Sequence, residues 1–174
     1  MDIDRVDLLI LEQLQQDAKR SHASLGEQVN LSASQVSRRV ARLEESGLLK
    51  GYIAVLDAEL LGLDVEVFTS VSLDRHDANC GVAFEQAIQG FDEILDCIAV
   101  TGEADYILRI VVPDLSAFSR FITDRLVTLP GVKMVRSNIG LHRIKRSHAL
   151  PLGYLVSPAD KRPKVRYTES SGRN

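Results

Sequence analysis

The chain has 174 residues, 45% of them hydrophobic and 26% charged, with a net charge of −3 and two cysteines. That length suits one large or two small globular domains. Cys80 and Cys97 form neither a disulfide framework nor a metal-ligand pattern, so no metal site is expected. Apolar runs such as 107–112, interrupted by Arg109, fall far short of the roughly 20 residues of a membrane span. The opening Met-Asp-Ile-Asp-Arg carries no export signal, so a cytoplasmic protein without a membrane partner is expected. Positive charge is clustered locally: Arg38, Arg39, Arg42 and Lys50 stand against Glu44 and Glu45, whereas residues 1–17 are acidic. An acidic total does not exclude DNA binding, because fields are screened beyond about 8 Å at physiological salt.

In chain order, Asp4 is an N-cap with Asp7 three residues on, and Val6, Ile10 and Leu14 follow as a helical stripe. Ser21 caps a short second helix with Leu25 and Val29 on its apolar face. Asn30 tolerates the left-handed conformation needed to end it sharply. Ser32 to Gln35 is a Ser-x-x-Gln capping box opening a third helix, with Val36, Val40 and Leu43 at core spacing and Gly47 as its stop. Two short helices joined by a tight turn, the second basic, form the helix-turn-helix signature.

At 100° per residue, Val40 and Leu43 fall within about 40° of Val36 and define the third helix's core face. Ser34 and Arg38 lie roughly opposite. Ser34, Gln35 and Arg38, near the N-terminal part of the helix, are the candidates to reach base edges. Ser37 and Arg42 are placed for phosphate contact. Arg39 lies about 60° from Val36, where it either contacts phosphate or lies along the core edge and pairs with an acid inside the domain.

Beyond Gly47 the pattern becomes extended: residues 48–56 read as a strand and 57–64 as a loop. Strand, helix, strand, strand, helix, strand then follow. The strands are 65–73, 94–101, 106–112 and 132–143. One helix presents Phe84, Ala87, Ile88 and Phe91 after a polar break at 74–79; the other presents Leu115, Phe118, Ile122, Leu126 and Leu129. This βαββαβ order is that of a ferredoxin-like sandwich. Its second sheet face carries enough apolar side chains to imply another subunit. The expected fold is α+β: a winged-type helix-turn-helix domain (1–50), a linker strand and loop (51–64) and a ferredoxin-like βαββαβ domain (65–148). A basic tail (149–174) follows. Residues 151–174 hold Lys161, Arg162, Lys164, Arg166 and Arg173 against Asp160 and Glu169. That composition fits a solvated, poorly ordered segment, or one that helps hold DNA non-specifically.

These residues resemble the Lrp/AsnC (leucine-responsive regulatory protein) family of transcription regulators. The resemblance is carried by Asp4-Arg5-Val6-Asp7 with Ile10-Leu11, by Val29-Asn30-Leu31-Ser32, by Arg39-Val40-x-x-Leu43-Glu44 and by Gly47-x-x-x-Gly51-Tyr52. Val100-Thr101-Gly102-x-x-Asp105-Tyr106 and Leu129-Pro130-Gly131-Val132 carry it in the second domain. It spans about residues 2–148 in collinear order. It implies a regulator of double-stranded DNA, assembled as dimers that form octamers, with an amino acid as effector at an interface between subunits and no cofactor. It places Thr101, Gly102, Glu103, Ala104 and Asp105 near the ligand, with Asp105 facing its ammonium, and Asn138, Ile139 and Gly140 lining the pocket from the neighbour. Ordinary turn chemistry is the alternative for Gly102 and Asp105. Two positions depart from the family: Asn30 replaces a common Gly, and Gly140 a larger apolar residue. The second change leaves room for a bulkier ligand, or for none.

Some haem-biosynthesis decarboxylases resemble the same family. His22, His76, His142 and His148, however, have no carboxylate pair or nucleophile at motif distance, so no catalytic residue and no enzyme are expected. An architectural protein wrapping DNA with little sequence preference shares every feature except base readout.

Overall fold

The computed structural model describes residues 2–74, 80–155 and 166–167. The chain divides into two compact units, one made of Met1–Ala54 with Lys145–Asn174, the other of Val55–Ile144.

In the first unit a short strand β1 (Asp2–Ile3) precedes three helices, α1 (Arg5–Gln16), α2 (His22–Val29) and α3 (Ala33–Glu45). Each begins where a side chain replaces a missing backbone partner. Asp4 and Asp7 form a reciprocal capping box on α1, Ser21 accepts from the Ser24 N–H on α2, and Ser32 with Gln35 forms the second box on α3. Between α2 and α3, Asn30 takes φ 54° and ψ 45°, the left-handed conformation the turn requires. Ile10, Leu25, Val36 and Leu43 are fully buried at the centre of the core. Gly26 permits the tight turn: a Cβ there would lie 2.4 Å from the Leu31 carbonyl oxygen.

The described residues of the tail do not stand apart from this unit. Leu152 and Leu155 pack against the helical core, Gln15 bonds the Leu150 backbone in both directions, and a strand β6 (Arg166–Tyr167) pairs in parallel with β1. The assignment of 149–174 to a separate segment misses this because Leu150, Leu152 and Leu155 lack a long enough period to register as an element. The tail cations Lys161, Arg162, Lys164 and Arg173 lie outside the described residues, as do 75–79 with His76.

The second unit is built from β2 (Val65–Leu73), α4 (Cys80–Ile88), β3 (Ile94–Ala99), β4 (Tyr106–Val112), α5 (Leu115–Phe121) and β5 (Val132–Ile139). The sheet order is β3-β4-β2-β5 with every neighbour antiparallel, the βαββαβ sandwich expected. Val67, Val71, Leu108 and Ile110 point into the core under Phe84, Phe121 and Leu126. Gly131 (φ +82°) sits against Cys80, whose Sγ lies 2.5 Å from where a Cβ would stand.

Three expectations change. Residues 50–57 form no ladder among the described residues, and Ile53 (83% exposed), Val55 and Leu56 are uncovered; an extended apolar segment becomes a strand only with a partner to bond. The last sheet strand ends at Ile139 rather than 143. The second helix of this unit continues from α5 into a π-turn, Ile122–Leu126, closed by the Val127 N–H on the Ile122 carbonyl. Phe121 and Leu126, on either side of this turn, are buried, while Leu115 at the helix start is 55% exposed.

Gly26→Ala should lower the stability of the helical unit by about 1–3 kcal/mol, as overpacking does. Gly90→Ala, where a Cβ meets nothing closer than 3.7 Å, should be nearly neutral; urea unfolding followed by circular dichroism compares them.

Candidate functional site

The helical unit presents α3 with Ser34, Gln35, Ser37 and Arg38 exposed. Two of these also serve the helix start. Gln35 Oε1 accepts from the Ser32 N–H (2.9 Å), and Ser34 Oγ lies 3.1 Å from Ser32 Oγ. Arg38 has no acidic partner among the described residues and extends from the face opposite Val36.

Arg39 and Arg42 are held differently. The Asp7 side chain is fully buried, with Oδ1 2.7 Å from Arg39 Nη1 and Oδ2 2.5 Å from Arg42 Nη2. Arg39 Nη1 also donates to both Asp4 oxygens, at 3.1 and 2.9 Å. Burial of Asp4 raises its pKa, but the Asp7 N–H and the Arg39 guanidinium outweigh that and hold it below the usual carboxylate value. Burial disfavours the Arg39 charge, and bonds to Asp7 and Asp4 outweigh it, so its pKa is raised. Of the two readings of Arg39, this geometry supports the internal pair. Arg42, with its side chain 49% exposed, is tied to Asp7 yet open to solvent. Beyond α3, the Tyr52 hydroxyl donates to Glu44 Oε1 (2.9 Å).

In the second unit, a cavity of about 470 Å³ lies at the end of the sheet where β2, the 101–105 loop and the start of β5 meet. Glu103, Ala104 and Asp105 line it, whereas Thr101 and Gly102 are exposed outside the lining. The loop is tied to β2 by Asp105 N–H to Val71 (2.9 Å), Leu73 N–H to Asp105 Oδ2 (2.8 Å) and Ser72 Oγ to the Glu103 carbonyl (3.1 Å). Asp105 thus serves the turn whether or not it also serves a ligand. Beside the loop, burial and then Glu85 push the Tyr106 hydroxyl up to about 12, keeping it a neutral donor to Glu85 Oε1 (2.8 Å).

Asn138, Ile139 and Gly140 do not reach this cavity. They pair further along β5 with Phe68, Val67 and the Glu66 carbonyl. The β5 side chains that line it are Lys133, Met134 and Arg136, opposite Ser70 and Ser72, and sequence reasoning missed all three. Alternation signals two of them: with Val135 facing the core, 134 and 136 must face away, whereas Lys133 lies at the register shift between β2 and β5. Among the described residues no cluster of His, Cys, Asp or Glu could hold a metal ion.

A helix-turn-helix unit and a sandwich unit with a loop-walled cavity define a regulator that reads DNA and binds a small ligand in one chain. Residues 3–44 match the AsnC-type helix-turn-helix domain, and residues 66–150 the Lrp/AsnC ligand binding domain. The chain belongs to the Lrp/AsnC family of transcriptional regulators. It is 40% identical over 151 residues to the Bkd operon transcriptional regulator of Pseudomonas aeruginosa, covering 87% of this chain and 99% of that one. It is 36% identical over 149 residues to the leucine-responsive regulatory protein of Escherichia coli K12, covering 86% and 91%. Among solved structures, it resembles a Neisseria meningitidis transcriptional regulator in complex with L-Met, with a TM-score of 0.85 and 35% identity over 88% of this chain and 99% of that one. These relatives are transcriptional regulators. No helix among the described residues is long and apolar enough to cross a membrane.

Arg39→Ala should destabilise the helical unit by about 2 kcal/mol. That is less than the roughly 3–5 kcal/mol of a fully buried pair, because the guanidinium reaches solvent. The Asp4 carboxylate, its pKa lowered by folding, stabilises above about pH 4 and loses that contribution as pH falls through the folded value. Thermal melts taken from about pH 5 down to about pH 3 should therefore drop more steeply for the wild type than for Asp4→Asn.

Proposed function

We propose that α3 reads operator DNA through Ser34, Gln35 and Arg38, that Ser37 and Arg42 contact phosphate, and that the cavity of the second unit takes an α-amino acid. The observation that carries the ligand reading is the mixed charge of one lining. Asp74, Glu103 and Asp105 share that lining with Lys133 and Arg136, and Leu73, Ala104 and Met134 add apolar surface. A zwitterion with an apolar side chain matches that arrangement: its carboxylate suits a guanidinium or ammonium, and its own ammonium suits the acids. The volume falls within the range of small-molecule sites, and the L-Met complex of the Neisseria meningitidis relative supports the class. Asp105 is the ammonium partner in this reading. Thr101, Gly102, Asn138, Ile139 and Gly140 come into play only where a second copy closes the site.

Assembly into homo-oligomers is part of the same proposal. On the sheet face away from the helices, Phe68, Ile98, Ile107 and Met134 are between 39% and 54% exposed, and the 55–63 segment adds Val55, Leu56 and Leu60. A monomer seldom leaves so much apolar surface in water. Action in the cytoplasm accompanies this reading.

Arg38→Ala should weaken binding to a selected operator by about 1–3 kcal/mol and relax preference at one base pair. Footprinting that shows uniform protection, with no favoured site, would instead support the architectural reading. A panel of amino acids should include one or more that raise the melting temperature of the wild type by mass action. Arg136 makes only a loose, exposed pair with Glu103 (3.3 Å), so Arg136→Ala should fold normally and lose most of that shift. A wild type indifferent to every amino acid ends the effector reading.

A further inference from the structure

From Arg125 to Ala159 the sequence contains no acid, while six lysines and arginines fall within that span. Three of the six are engaged: Arg125 by Glu93, Arg136 by Glu103 and Arg143 by Glu66. Lys145 and Arg146 are not. Both are exposed, and neither has an ion-pair partner among the described residues.

The chain immediately C-terminal to these two residues fixes their position. Lys145 and Arg146 belong to the unit that carries α3, and four residues after Arg146 the backbone is fastened to α1. The Leu150 N–H donates to Gln15 Oε1 (2.6 Å), and Gln15 Nε2 donates to the Leu150 carbonyl (3.3 Å). Leu152 and Leu155 then enter the helical core. Four residues of extended chain reach at most about 14 Å, so Arg146 is tethered close to α1. Two unpaired cations are thereby held on the DNA-reading body itself. The family's domain matches end at residue 150, so the leucines that complete the tether lie beyond them.

We infer that Lys145 and Arg146 form a second contact with duplex DNA, made to the phosphate backbone and independent of base sequence. Charge complementarity names the partner. A duplex carries about one negative charge per 1.7 Å of its axis, and each neutralised phosphate releases condensed counterions. Internal acids hold Arg39 and share Arg42, so among the described residues Arg38 is the cation of α3 left without an acidic partner. Lys145 and Arg146 add to it and lengthen the footprint without adding specificity.

The test is the salt dependence of binding by the full chain. Wild type and the Lys145→Gln/Arg146→Gln double variant are titrated with two duplexes, one selected in vitro by the wild type and one scrambled at equal length. The expected result is a slope of log Kobs against log salt shallower by roughly 1.8 on both duplexes, each lost phosphate contact contributing about 0.9. The melting temperature should stay unchanged. Affinity should fall by a similar factor, roughly tenfold or more at about 0.1 M salt, on both. An unchanged slope overturns the inference, and so does a loss confined to the selected duplex, which would move these residues to base readout. Acetylation of Lys145 in the wild type gives a second measure. Either duplex should slow it, and equal rates with and without DNA overturn the contact.

Discussion

The buried carboxylate of Asp7 is the constraint on which the DNA-reading unit depends. It lies within the core, where an unpaired charge would be costly, and it is matched by two guanidiniums from the recognition helix and by the Asp4 N–H. Two carboxylates and two arginines leave the cluster neutral. One set of charges therefore caps α1, locks α3 against it at a fixed rotation and decides which face of α3 looks outward. Apolar packing alone would tolerate small rotations of α3, whereas hydrogen bonds to both oxygens of one carboxylate do not. The arginines thereby separate into classes: Arg39 belongs to the scaffold, Arg42 is shared between scaffold and solvent, and Arg38 is available.

The sandwich unit solves a different problem. Its helices cover one sheet face, and the loop before β4 is drawn down onto β2 by the backbone of Val71 and Leu73. The cavity results from that short crossing rather than from a gap in the core. Its sheet-side wall includes Ser70, Ser72, Met134 and Arg136, which face away from the helices, so substitutions there need not repack Phe84, Phe121 or Leu126. The Glu66 ion pairs with Arg109 and Arg143 occupy that outward face further from the cavity.

Much of this architecture is legible in the amino-acid sequence. Caps and turns are local chemistry, so Asp4, Ser21, Asn30 and the Ser32–Gln35 box can be read directly, and apolar periodicity locates β2, β4 and the buried face of α3. The 100° wheel places Arg39 at the core edge, although it cannot supply the two acids that meet it there from α1. Features set by distant parts of the chain escape such a reading. The π-turn at 122–126 interrupts the helix with no residue to announce it, and residues 50–57 have strand composition without a ladder partner among the described residues. Lys133, Met134 and Arg136 belong to no motif; alternation along β5 places Met134 and Arg136 beside the loop, and Lys133 lies where the register with β2 shifts. Exposure alone assigns Arg42 to phosphate, because the buried carboxylate that also claims it lies 35 residues away in sequence.

The DNA-reading unit is discontinuous in the chain: its core is begun by residues 2–54 and joined by Leu152 and Leu155 only after ninety residues of the other unit have intervened. During synthesis the sandwich is therefore made whole before the helical unit receives its last apolar cover. Domains generally fold in order of emergence, and here that order sets the ligand-binding unit ahead of the completed DNA reader. A polypeptide cut short before residue 150 would carry a finished sandwich and an unsealed helical core, more exposed to proteolysis than the full product.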